Sequence, residues 1–465
     1  MTSATIPLNS GSAERLPVRI CLGFGVGTVG VSIMLNTVTA YFPAFCSTVL
    51  GKSPEIAGYL LMVSKLYDVI ADIAVGMMSD RTRSRWGRRR PYLLAGALVS
   101  AISFLMIFAP PVMSDTAITF YMLAALILYS TGYSLFNVPY MTMPSEMTSS
   151  RYDRSRLLSF RTVFVSIGQM LAVAVTASII TAGGGGRTGY FVMGAVMALI
   201  IFSAMIACFF GTAKARRLEP TQPEVHADAS QWKLLLRNRP FVLLVAAKIF
   251  QFLAFASTAT TTLLFMLNVL GIGYTGQMLF AVSSNIVVAF SMPVWLWLER
   301  RFGKRNAYLF GISMMCLVSL SWLLADKASI TDMQVVIRGI FAGFGSGGMI
   351  LLSISMLGDT MAYDRELTGQ GREGLLSSVI AMIEKISFAV GVAIVGFYLK
   401  TANYIPTKNG ALVDQPESAV FALYLCYALL PVGLFLCNAL CIWFYTLGGR
   451  QPETLAIDPE PAGGG

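Results

Sequence analysis

Three ionisable side chains interrupt an otherwise apolar stretch: Lys65, Asp68 and Asp72, in Lys65-Leu66-Tyr67-Asp68-Val69-Ile70-Ala71-Asp72-Ile73-Ala74-Val75-Gly76. A charge at mid-membrane costs about 2.5–3.5 kcal/mol, so each needs a partner, a wet cavity or a task. Asp68 and Asp72 are one helical turn apart and share a face, with Lys65 on nearly the same stripe. Stacked carboxylates repel, so the pair must hold a proton or recruit a cation. That is the chemistry of an ion-coupled site for H⁺ or Na⁺. The plainer alternative is a static Lys65–Asp68 ion pair, with Asp72 capping a kink.

Other polar residues fall at similar depth. Ser134 and Asn137 precede Pro139 and Pro144 in one apolar run. Asn137 can donate and accept toward a polar substrate, and Ser134 can offer an oxygen; alternatively, both satisfy carbonyls freed by the prolines. Arg161, read as the start of the next run, either holds a substrate or snorkels to the membrane surface. Glu384 and Lys385 stand about ten residues into a later run, near mid-membrane at 1.5 Å per residue. Lys385 is a candidate substrate donor or a counter-charge to the aspartates. Glu384, about 100° around the helix, reads as a packing or pairing residue, and Lys248 and Arg338 have no evident role.

These residues need helices to hold them. The chain has 465 residues, 55% hydrophobic and 12% charged, against about 25% charged in soluble domains. Apolar runs lie near 19–44, 56–79, 91–111, 117–144, 157–182 and 189–213, then near 240–270, 275–298, 307–325, 331–360, 375–400 and 418–447. Each is long enough to span a bilayer. The organisation expected is all-α: a tail over 1–18, a six-helix bundle over 19–213, a polar linker over 214–239, a second bundle over 240–447 and a tail over 448–465. Arginine and lysine crowd alternate loops, which the positive-inside rule makes cytoplasmic, with both termini. The net charge of +10 therefore belongs to membrane topology, and no nucleic-acid partner is expected. Gly183–Gly186 is not followed by the Lys-Ser/Thr of a phosphate loop, the seven cysteines lack metal-ligand spacing, and no enzyme dyad is visible. The loop Asp80-Arg81-Thr82-Arg83-Ser84-Arg85-Trp86-Gly87-Arg88 is echoed by Glu299-Arg300-Arg301-Phe302-Gly303-Lys304-Arg305 in the second half. Duplicated halves imply a substrate path between bundles.

The chain resembles the glycoside–pentoside–hexuronide:cation symporter family, the melibiose-permease-like branch of the major facilitator superfamily. The resemblance covers nearly the whole chain. It rests on Lys65 to Gly76 running into Asp80 to Pro91, on Asn137-Val138-Pro139-Tyr140 followed by Pro144-Ser145-Glu146-Met147-Thr148, and on Gly358-Asp359 through Tyr363-Asp364, Gly371-Arg372-Glu373-Gly374 and Lys385. It implies a cation site at Asp68, Asp72 and Ser134, and substrate contacts at Asn137, Tyr140, Arg161 and Lys385. Asp80, Arg81, Arg85, Arg88, Glu299 and Arg372 would form an inner gate whose ion pairs latch while the carrier faces outward. Cofactors are not expected beyond the coupling ion, H⁺ or Na⁺. The expected partners are a small-molecule substrate and membrane lipid, with the chain acting as a monomer in the inner membrane. Three departures stand out: Gly25 to Gly30 lacks the acid that sugar-transporting relatives often carry there, Ala71 replaces an asparagine that supports Na⁺, and Met141 replaces a substrate-stacking tryptophan. A sugar, glycoside or uronate-like substrate is expected. An amphipathic lipid-like substrate, or a non-transporting sensor on the same fold, is the alternative.

Overall fold

A computed structural model describes residues 16–148, 150–215, 237–369, 372–445 and 447. Most of the expected linker, His226 and nearly all of both tails lie outside the described residues. Among the described residues these helices follow one another: α1 Val18–Ala44, α2 Pro54–Arg81, α3 Arg90–Phe108, α4 Asp115–Met147, α5 Arg151–Met170 and α6 Arg187–Gly211; then α7 Arg239–Asn268, α8 Gly273–Phe302, α9 Lys304–Ser321, α10 Asp332–Thr368, α11 Glu373–Thr401 and the shorter α12 Glu417–Tyr424. A π-helical turn at Phe45–Val49 extends α1. Another at Leu171–Val175 leads α5 on to Thr176–Ala182, and a third at Leu425–Leu429 leads α12 on to Leu430–Trp443. Among the described residues eleven helices are long and apolar enough to cross a membrane. The twelfth is α2, which Lys65, Asp68 and Asp72 make too polar to count with them.

The helices extend past the apolar runs because a backbone in lipid must pair its own N–H and C=O groups up to the polar interface. Two extensions matter. α5 begins at Arg151, capped by the Ser150 hydroxyl accepting from the Asp153 N–H, so Arg161 lies nearly three turns inside the helix and not at its start. α10 continues to Thr368 and brings Asp364 into the helix.

Each half packs as one bundle: α1 against α5 and α6, α3 against α4 and α6, α2 against α4; then α7 against α11 and α12, and α10 against α8 and α9. The halves meet along two seams, α2 with α11 and α5 with α8, and α1 also touches α7. The two seams are equivalent under exchange of the halves, since each joins the second helix of one to the fifth of the other.

The face opposite the arginine-rich loops is sealed. A loop of the second half pairs its backbone with the π turn of the first: Thr407 N–H to Ser47 C=O at 2.7 Å, Asn409 to Val49 at 3.1 Å, and Gly410 to Thr48 at 2.9 Å. Asn409 and Gly410 turn there with φ of 57° and 76°, the left-handed region that asparagine and glycine enter most readily. Glu55 and Lys400 form an ion pair on the same side. Below it α2 and α11 cross in close contact: a Cβ at Gly396 would sit 2.5 Å from the Pro54 carbonyl oxygen, and one at Gly58 would sit 2.9 Å from that of Val392. Small residues let membrane helices approach in this way. Toward the basic face the two helices part around a cavity of about 380 Å³ lined by Val69, Asp72, Ile73, Leu375, Val379 and Met382 among others.

Gly396→Leu should wedge this crossing at a cost of about 1–3 kcal/mol. In a cysteine-free background, Ser47→Cys/Thr407→Cys protein should cross-link readily, and adding Gly396→Leu should slow cross-linking about tenfold. Unchanged cross-linking would show that the crossing does not govern the seal.

Candidate cation and substrate site

The aspartates find their partner in the other half of the molecule. Lys385 on α11 donates from Nζ to Asp68 Oδ2 at 2.8 Å and to Asp72 Oδ2 at 2.5 Å. Ser134 on α4 donates toward the remaining edges, 2.6 Å to Asp72 Oδ1 and 3.3 Å to Asp68 Oδ1. Asp68 is 2% exposed at its side chain, whereas Asp72 and Lys385 are 27% and 28% exposed. Asp68 is thus almost fully enclosed, while Asp72 is more open and lines the cavity of about 380 Å³. The alternative of a static Lys65–Asp68 pair is not what forms: among the described residues Lys65 has no carboxylate within ion-pair distance. Its ammonium stands 5.9 Å from the ring centroids of both Tyr129 and Tyr133, within cation–π range.

A second cavity of about 350 Å³ begins beside this cluster. Leu35, Asn36 and Thr39 of α1, Lys65 and Asp68 of α2, Tyr133 of α4, Phe252 of α7, and Ala381, Glu384, Lys385 and Phe388 of α11 line it. Asn137 is half-buried one turn beyond Tyr133 on α4 and has no hydrogen bond among the described residues. Arg161 is half-buried, its Nε buried without a partner, and Tyr133 and Tyr140 lie close enough to feel its charge. Both side chains keep donors without a partner among the described residues. Ser134, by contrast, spends its hydroxyl on the aspartates and not on the carbonyls freed by Pro139.

Tyr140 requires a correction. It is fully buried, its hydroxyl donates to Phe24 C=O at 2.9 Å and lies 2.5 Å from Thr28 Oγ1, and its ring stacks on Phe24 at 4.4 Å. It ties α4 to α1 and does not reach the cavity. Around the expected inner gate, which would latch while the carrier faces outward, the ion pairs are local ones. Asp80 pairs with Arg89 at 2.5 Å, Glu146 takes Arg88 at 2.8 Å and Arg89 at 2.9 Å, and Arg81 and Arg85 are exposed. Glu299 accepts from Ser355 at 3.0 Å and stands 3.9 Å from Lys304, whose ammonium sits 2.6 Å from Asp359. Arg372 forks onto Asp364 at 2.8 and 3.1 Å, and Asn238, the cap of α7, donates to that carboxylate at 3.2 Å. Among the described residues these pairs all stay within one bundle, because each acid lies nearer a base on its own half. Glu146, Arg89, Lys304 and Asp359 were not singled out as gate residues, although each sits beside a basic loop at a span end. Lys248 and Glu384 pair with each other at 2.8 Å.

Two bundles meeting along duplicated seams, with ionisable groups bridging them at mid-depth, define a secondary transporter of the major facilitator fold. A search of family models matches residues 23–449 to "MFS/sugar transport protein". The chain is 24% identical to the isoprimeverose transporter of Lactiplantibacillus pentosus, covering 97% of this chain and 94% of that protein. It is 25% identical to a glucuronide carrier protein homolog of Escherichia coli, covering 96% of each. Among solved structures it resembles a bacterial homolog of the human lysosomal transporter Spinster, with a TM-score of 0.69 at 11% identity over 92% of this chain and 96% of the other; this supports the fold alone. The chain belongs to the MFS/sugar transport family, in its glycoside–pentoside–hexuronide:cation symporter branch.

Removing one partner of a buried pair strands the other, at about 3–5 kcal/mol. Lys385→Met should therefore lower the melting temperature of the purified protein markedly, and adding Asp68→Asn should recover most of the loss. If the double variant melts as low as the single one, Lys385 is not compensating Asp68.

Proposed function

We propose that this chain is a cation-coupled symporter of a sugar or glycoside, and that Asp68, Asp72 and Ser134 bind the coupling ion. The observation that carries this reading is the bridge from Lys385 to both aspartates. The directly bonded charges are two carboxylates and one ammonium, a sum of −1, so one monovalent cation neutralises the set. Lys385 already occupies both Oδ2 edges, which leaves the Oδ1 edges and Ser134 Oγ for the ion. A cation there competes for the same carboxylate charge, loosens the hold of Lys385, and lets α2 and α11 move apart. Coupling follows, because separation of the bundles then depends on whether the site is filled. Ala71 supplies no amide oxygen, and a set of three oxygens suits a proton better than Na⁺.

By the positive-inside rule the basic loops favour a cytoplasmic open side, in an inner membrane with both termini inside; the conformation described is then inward-facing. Residues 19–213 and 240–447 act as the two rocking units, joined by 214–239, and one chain suffices. Asn137, Arg161 and Lys385 face the substrate, while Arg81 and Arg85 remain free to reach across when the inner face closes. The apolar wall of Leu35, Phe252, Ala381 and Phe388 favours one alternative, an amphipathic lipid-like substrate.

Proteoliposomes under an imposed pH or Na⁺ gradient distinguish these readings when supplied with glycosides, uronates and lysolipids. Asp72→Asn should abolish concentrative uptake, by at least tenfold, while keeping exchange across the membrane. Active accumulation by Asp72→Asn at the wild-type rate would refute the coupling role, and wild-type protein that binds but shows no counterflow would be a sensor.

A further inference from the structure

The coupling cluster leaves one carboxylate of the central cavity unexplained. Glu384 neighbours Lys385 in sequence but points to its own bundle, where Lys248 holds Oε1 at 2.8 Å. The pair is lopsided: the Lys248 side chain is 10% exposed and that of Glu384 27%. Lys248 lies beneath Phe252, its ammonium 5.5 Å from the ring centroid, while Glu384 lines the cavity wall. A purely structural pair in the same bundle looks different, since Arg372 and Asp364 are each 2% exposed at their side chains. Among the described residues Glu384 Oε2 accepts no hydrogen bond.

An ionised carboxylate is an acceptor only, so what it awaits is a donor. Nearby groups point the same way. Asn36 spends one of its two amide N–H donors on Ser32 C=O at 2.8 Å, and its Oδ1 remains an acceptor in the same cavity lining. Phe252 and Phe388 line the same cavity as Glu384, apolar faces suited to the C–H side of a sugar ring. α1 brings only Leu35, Asn36 and Thr39 to this cavity, so no acid from the first bundle's opening helix competes for the role.

We propose that Glu384 is a substrate-binding residue that accepts hydroxyl groups of a polyhydroxylated ring through Oε2, and that Lys248 is the positioning residue that aims it. The proposal rests on the symporter reading and names which part of the substrate the second bundle grips. It also gives the ligand a direction, since a substrate carboxylate would be repelled by Glu384 and would turn toward Lys65 and Arg161.

The test is binding to the purified full chain by isothermal titration, with xylose, isoprimeverose, methyl β-glucoside and methyl β-glucuronide as probes. Glu384→Gln strands a buried ammonium and can fail through folding alone, so Lys248→Met/Glu384→Gln, which removes both charges, is measured beside it. The double variant should melt near wild type yet bind at least tenfold more weakly. Wild-type affinity in the double variant would reduce Glu384 to a staple for Lys248 and overturn the proposal while leaving the symporter reading intact. Wild-type protein that binds none of the four probes would overturn both.

Discussion

One ammonium group holds the two halves of this molecule together at mid-depth. Lys385 reaches Asp68 and Asp72 across 317 and 313 residues of sequence, and few other contacts at that level join the bundles so directly. Both aspartates would be costly in a membrane without it, and Lys385 would be costly without them. Their mutual need makes the bundle interface specific. It also makes the interface conditional, because anything that changes the carboxylate charge changes the strength of the tether.

The rest of the fold serves that condition. Near the sealed face the α2–α11 seam is lined by Gly58 and Gly396, and beside it the backbone of residues 47–49 pairs with that of residues 407–410. Ion pairs at the basic face have a different task. Arg89 with Asp80 and Glu146, and Lys304 with Asp359, stiffen the ends of helices within each bundle. Rigid bundles transmit a small change at the centre to both faces, whereas soft ones would absorb it.

The central cavity divides its labour between the halves. In the proposed site the ion-binding groups come from α2 and α4 of the first half. The second half contributes both the tether, Lys385, and its neighbour Glu384, turned about 100° away by the helical period. Two adjacent residues on one helix thus address the ion site and the cavity wall separately, which is an economical way to make one helix sense both ligands.

Much of this was legible in the residues. Apolar runs marked all twelve helices, because a lipid-exposed backbone has so few alternatives, and the cost of buried charge singled out Asp68, Asp72 and Lys385. Ser134 was marked by its place before the prolines. What pairs with what was legible only in part: Lys385 stood out as one possible counter-charge to the aspartates, and the structure pairs them. Lys65 lay on the stripe of Asp68 and turned to Tyr129 and Tyr133 instead; Tyr140 sat in a motif with Asn137 and proved to be packing; Asp80 chose Arg89 over the nearer Arg81. Helical periodicity ranks neighbours along one helix, but ion pairs are decided by which helices pack together and at what height. The sequence by itself determined the helices and the residues that had to be accounted for. The tertiary structure decided their partners, since a buried charge is satisfied by whichever opposite group the packing of two bundles brings within 3 Å.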